Sequence, residues 1–189
     1  HPVRVDHVPP DADVVLLCVG TEDLEALKGP LASQTSAPIV ILTPMLPKDF
    51  ARVKEAFGDR VLAAMPNVVA YARGDIVRYW LPPAPTKIDE PRADSPSYVA
   101  VREFADALSR AGLRGRLELG VHETNPATTV CFIAIGMTLS LAGSAKKLIH
   151  DETLLALAAS ACREGVRLSH RIGTPEPWAQ PEARALARL

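Results

Sequence analysis

Residues 122–129 read His-Glu-Thr-Asn-Pro-Ala-Thr-Thr, the densest polar cluster in the chain, and its most apolar stretch follows at once. A histidine transfers protons near neutral pH, and a neighbouring carboxylate orients the ring that does so. His122 and Glu123 therefore form a candidate acid–base pair. Asn125, Thr128 and Thr129 add hydrogen-bonding groups along one turn, and a junction with apolar sequence is where polar side chains need partners. The plainer alternative makes Thr124 or Asn125 a helix cap, Pro126 a first-turn proline and the threonines back-bonded helix residues. A second set lies at strand ends: Val19-Gly20-Thr21, Thr43-Pro44-Met45 and Met65-Pro66-Asn67. Gly20 lets a ligand approach the backbone, and a helix capped by Thr21 offers N–H groups to an anion, although both also suit an ordinary strand exit. Asp89-Glu90 beside Arg92 reads as a solvated turn, and Tyr79 and Trp80 as core residues.

The elements that must position these groups follow from periodicity. Asp13–Gly20 and Pro38–Thr43 are short apolar runs of the kind buried on both faces of a parallel sheet, and a third run starts at Arg60–Ala64. Between them, Leu24, Leu27 and Leu31 give helical spacing that Gly29-Pro30 weakens, and Phe50, Val53 and Phe57 give another helix closed by Gly58. Strand and helix alternating over short loops predict an α/β fold with a partial Rossmann-like parallel sheet. Ligands in such sheets bind at the carboxyl ends of the strands, where the second set of residues falls.

Val68–Tyr71, Ile76–Leu81 and Thr86–Ile88 then predict a β-meander, Ser97–Ala111 an amphipathic helix, and Arg116–Gly120 an edge strand. Helices follow over Thr124–Ala142, Asp151–Ser169 with Asp151 as cap, and Glu182–Leu189. The division is a partial Rossmann-like α/β domain over residues 1–120 and a helical domain over residues 121–189.

The chain has 189 residues, 48% hydrophobic and 23% charged, with 21 basic and 22 acidic residues and a net charge of −1. That balance supplies a core and no large field for nucleic acid or an anionic membrane. Cys18, Cys131 and Cys162 sit far apart in apolar runs and form no CxxC, which fits a reducing, cytoplasmic location. The uncharged stretch Thr124–Ser144 has the length of a membrane span, but its polar residues favour a packed core helix. The prolines cluster between Pro82 and Pro96, an extended excursion ahead of the Ser97 helix.

The order of these features resembles the ketopantoate reductase family, within the wider 6-phosphogluconate dehydrogenase-like superfamily. DVVLLCVGTEDLEAL (Asp13–Leu27) is similar to that family's strand, turn and helix. Ile39–Val77 is similar to its next strand, helix and return strand. LSRAGLRGRLELGVHETNPATTVCFIAIGMTL (Leu108–Leu139) resembles a helix end, a short strand and the first long interdomain helix, and Arg163–Leu168 a later helix ending in "EG". The likeness runs over Asp11–Leu168. It implies a Rossmann domain joined to a helical one, binding of NADP or NAD, and reduction of a 2-oxo acid to a 2-hydroxy acid. It also implies that Gly20 and Thr21 lie beside the cofactor's ribose and nicotinamide, and that Thr43-Pro44-Met45 takes the place of the family's Asn-Gly turn.

The departures are specific. No GxGxxG precedes Asp13, no lysine lies between Lys87 and Lys146 where the family carries its general acid, and the family's later helices have no counterpart. The chain starts at His1 rather than methionine, which suggests a missing or processed segment. The expectation is thus a truncated or catalytically altered reductase with His122, Glu123, Asn125 and Thr128 as catalytic residues and no metal. Gly20, Thr21, Thr43, Met45 and Asn67 stand on the cofactor side. A small-molecule substrate and a homodimer, or a partner chain completing the sheet, go with it. The alternatives are a cofactor-free dimerising or ligand-binding module, and a hydrolase using His122 and Glu123.

Overall fold

The computed structural model describes residues 7–20, 23–81 and 84–173. Two compact units result, His1–His122 and Glu123–Leu189.

In the first unit, β1 (Val15–Leu17), β2 (Ile39–Ile41) and β3 (Val61–Met65) run parallel, with Ile39 opposite both Val15 and Val61. The connecting helices are α1 (Leu24–Gln34) and α2 (Pro47–Phe57). Burial of both faces explains why β2 and β3 are apolar throughout; β1, expected to be buried on both faces as well, is the edge strand and leaves Leu16 exposed. Leu17, Ile39, Ile41, Val61 and Ala63 face one side and pack with Leu24, Leu31, Phe50, Val53 and Phe57 of the two helices. Val40, Leu62 and Ala64 face the other and pack with Val101 and Ala105 of α3 (Tyr98–Arg110). Each fully buried Ile or Val stabilises the fold by about 1.5–3 kcal/mol, so burial overrides local preference. It does so in α1, which the Gly29-Pro30 pair was expected to weaken: the helix continues through Pro30 because Leu31, beyond it, is a core residue.

The sheet is completed out of sequence. β4 (Val69–Arg73) and β5 (Ile76–Trp80) form a separate antiparallel hairpin. β6 (Thr86–Asp89) was expected to extend a meander with them; it instead enters the main sheet antiparallel to β3, Ala64 opposite Ile88. β7 (Gly115–Glu118) then pairs with β6 in parallel at the edge, giving the order β1-β2-β3-β6-β7. Ile88, fully buried in the α3-side core, accounts for the strand's departure. Gly115 is required by close approach: a Cβ there would lie 2.3 Å from the Ala105 carbonyl oxygen of α3. Tyr79 is exposed rather than core, and the Trp80 side chain is not among those described.

The second unit holds most of α4 (Val121–Ala142), the short α5 (Ala145–Leu148) and α6 (Glu152–Arg171). Asp151 caps α6 as expected, its carboxylate accepting from the Leu154 N–H at 3.0 Å. Cys131 of α4 and Cys162 of α6 meet in this core, with Cys162 Sγ 3.7 Å from the Cys131 carbonyl. Burial, with the Cys162 thiol beside it, pushes Cys131 up to about 12. It therefore stays a protonated, inert thiol at neutral pH. At Gly165 an added Cβ would stand 2.9 Å from the Val130 side chain, so α6 passes close to α4 there.

Helix α4 starts three residues earlier than the expected Thr124, which places His122 inside its first turn. Thr124 and Asn125 are then not caps, and Pro126 falls in the second turn instead of the first. Among the described residues α4 is one helix long and apolar enough to cross a membrane by length and composition, with 33% of its apolar window buried. The expected core helix is thus buried on one side only: Phe132, Ile133, Met137 and Leu141 are exposed, at spacings that line one face. The helix expected over Glu182–Leu189 lies outside the described residues.

Candidate functional site

Three contacts in the first unit converge on Asp89, the last residue of β6. Asp89 is 6% exposed, not the solvated turn residue its neighbours Glu90 and Arg92 suggested. Arg92 pairs with Asp94 instead. The β3–β6 register brings Asp89 beside Ala63, and Asp89 Oδ2 accepts the Ala63 N–H at 3.2 Å. A side chain thus supplies the acceptor where a strand carbonyl would otherwise stand.

His122 reaches the same carboxylate from another direction. Asp89 lies opposite Glu118, the end of β7, and the chain leaves that strand through Gly120 at φ 70°. That left-handed conformation favours glycine, and it turns the backbone into α4 two residues before His122. Asp89 Oδ1 accepts the His122 backbone N–H at 3.3 Å, and Oδ2 accepts from the ring Nδ1 at 2.9 Å. One face of the ring is covered by Phe50 of α2, stacked with centroids 4.9 Å apart and planes 22° apart. The His122 side chain is 33% exposed and that of Asp89 8%. A carboxylate can only accept, so the 2.9 Å contact is a hydrogen bond when Nδ1 carries a proton.

This arrangement is a histidine–carboxylate dyad, fit for proton transfer at Nε2. The carboxylate differs from the one expected. Glu123 is exposed and follows His122 directly on a helix, where adjacent side chains do not face each other. The signal in the sequence was Asp89 itself, an aspartate closing a strand pattern in which aspartate is depleted.

The other candidates divide. Asn125 is buried and Thr128 half-buried, three residues apart on α4. The Thr129 hydroxyl is buried and makes no hydrogen bond. At the strand ends, the Thr43 hydroxyl donates to the Val19 carbonyl at 2.5 Å, tying the exits of β2 and β1 together. Asn67 after β3 donates from Nδ2 to the Ala84 carbonyl at 2.5 Å and from its backbone N–H to Thr86 Oγ1 at 3.2 Å. It fastens the entry into β6. Met45 is buried among the core residues of the α1–α2 side, and Gly20 is half-buried behind β1. Thr21 lies outside the described residues. Gly20, Thr43 and Asn67 therefore stand at the carboxyl ends of three adjacent parallel strands, while Met45 supports that edge from within.

No family model and no curated protein matches the sequence. Solved structures do match the fold. A dimeric ketopantoate reductase from Staphylococcus aureus is 16% identical, with a TM-score of 0.61 over 93% of this chain and 62% of that one. A 2-dehydropantoate 2-reductase from Methylococcus capsulatus is 17% identical, with a TM-score of 0.56 over 94% of this chain and 58% of that one. D-mandelate dehydrogenase in complex with NADH is 14% identical, with a TM-score of 0.55 over 94% of this chain and 60% of that one. The fold is a partial Rossmann-like α/β fold. Its structural neighbours include ketopantoate reductases and D-mandelate dehydrogenase, and this chain spans about three fifths of their length.

Proposed function

We propose that the protein is a nicotinamide-dependent reductase of a 2-oxo acid in which His122 is the proton donor. The observation that carries the reading is the Asp89–His122 dyad at 2.9 Å, set in a reductase-type fold. When bound, the cofactor would supply a hydride to the carbonyl carbon. Gly20, Thr43 and Asn67 at the strand ends, with Thr21 next to Gly20 in the sequence, fit the nicotinamide and ribose: a glycine admits close backbone approach, and hydroxyl and amide groups suit sugar oxygens. Met45 backs them. The diphosphate-binding glycine-rich turn is not among these residues, and NAD and NADP both fit.

His122 gives its Nε2 proton to the developing alkoxide oxygen, and the ring, neutral after the transfer, is reprotonated from solvent through its exposed edge. Asn125 and Thr128 orient the substrate by hydrogen bonds, and Glu123 stands on the solvent side. The chain comprises a partial Rossmann-like domain of residues 1–120 and a helical domain of residues 121–189, in a cytoplasmic protein. The exposed α4 face of Phe132, Ile133, Met137 and Leu141 favours a homodimer or a partner chain over an isolated copy.

Titrating NADH and NADPH into the full-length protein, followed by nucleotide fluorescence, tests the cofactor half of the proposal. Saturable binding of one of them is expected. No binding of either at millimolar concentration would overturn it.

A further inference from the structure

We propose that Asp89 is a positioning residue that locks the neutral His122 imidazole in the Nδ1–H tautomer and so dedicates Nε2 to proton transfer; this rests on the reading of His122 as proton donor. Imidazole in water prefers the other tautomer, with its proton on Nε2, so the lock requires a specific cause. The geometry provides it at two points. Oδ1 holds the backbone N–H of His122 at 3.3 Å and Oδ2 holds its Nδ1 at 2.9 Å, so one carboxylate fixes both the start of the side chain and its ring. The carboxylate is itself immobile, because Oδ2 also takes the Ala63 N–H at 3.2 Å from the neighbouring strand. Phe50, stacked at 4.9 Å, restricts rotation of the ring about its last bond. A purely structural aspartate would need only the two backbone contacts. The third, to the ring, is the one that selects a tautomer.

The chemical consequence is a division of labour between two protonation states. The imidazolium donates from Nε2 to the oxygen of the carbonyl being reduced, and the N–H bond broken there leaves its electron pair on Nε2. The product is the Nδ1–H tautomer directly, with no proton to move between ring nitrogens before the next turnover. Asp89→Asn removes this match. Its amide offers one oxygen where the carboxylate offers two, and its NH2 group can donate to Nδ1, which favours the Nε2–H tautomer.

Nitrogen-15 spectra of the His122 ring, recorded above the histidine titration range, test the proposal without cofactor or substrate. Expected are a pyrrole-type Nδ1 and a pyridine-type Nε2 in the native protein, and a shift toward the reverse assignment in Asp89→Asn. With activity in hand, the same variant lowers kcat and leaves KM nearly unchanged. An Nε2–H tautomer in the native protein overturns the proposal, as does a folded Asp89→Asn protein with an unaltered ring spectrum. Should that variant fail to fold, the native spectrum decides. Loss of the cofactor reading leaves these spectra unaffected, so the two failures are distinguishable.

Discussion

Substituting His122 by glutamine is expected to lower kcat for 2-oxo acid reduction by about 10²–10⁴-fold, the usual contribution of a positioned general acid. Glutamine keeps much of the length and hydrogen-bonding capacity of histidine but cannot release a proton to an alkoxide. Its amide N–H can still approach the Asp89 carboxylate, so the strand ends should be little disturbed. Binding of reduced nicotinamide should therefore stay within about threefold of native, with the loss concentrated in the chemical step. Steady-state kinetics with fluorescence titration of the same preparation separates these quantities. A kcat lowered by less than about tenfold would mean that another group supplies the proton.

Asp89→Ala carries the second large effect, on stability. The carboxylate satisfies the Ala63 N–H, the His122 N–H and the His122 ring, and it does so from a position 6% exposed. Alanine offers no acceptor, and a stranded buried donor costs about 1–3 kcal/mol. The buried Ala63 donor, with a smaller share from the part-buried His122 donor, gives a loss of about 2–3 kcal/mol, large against a typical domain stability of about 5–15 kcal/mol. Urea unfolding followed by far-UV circular dichroism should show the midpoint of the first unit falling steeply. A midpoint equal to the native one would show that these donors find other acceptors and that the carboxylate is not the anchor of the site.

Local sequence was most informative where burial is two-sided. PIVILT could be read as a parallel strand because Ile39, Val40 and Ile41 are buried on both faces, and no polar alternation survives there; DVVLLCVG has the same texture, yet β1 buries only its Leu17 face and leaves Leu16 exposed. The helical spacing of Phe50, Val53 and Phe57 was legible for a different reason: they form the one buried face of an otherwise polar helix. What depended on long-range pairing was not. Thr86–Asp89 has the texture of a meander strand, and only its pairing with β3 carries it into the main sheet.

The site divides along the same line. His122 stood out because a polar cluster abuts an apolar helix. Its partner did not, because Asp89 lies 33 residues away and meets it only through the β6–β7 register and the turn at Gly120. Glu123 was the natural choice by adjacency, and helical geometry turns it away. The start of α4 was displaced too, since nothing in His-Glu-Thr-Asn marks Val121 as the first helical residue. Pro126 was assigned to the first turn on that account.

The proposed reaction is tested most directly by following oxidation of NADH and NADPH by the full-length protein with a panel of 2-oxo acids. The account predicts consumption of one nucleotide that depends on both the protein and the 2-oxo acid, with one equivalent of 2-hydroxy acid formed for each nucleotide oxidised. No consumption of either nucleotide with any acid of the panel would contradict it.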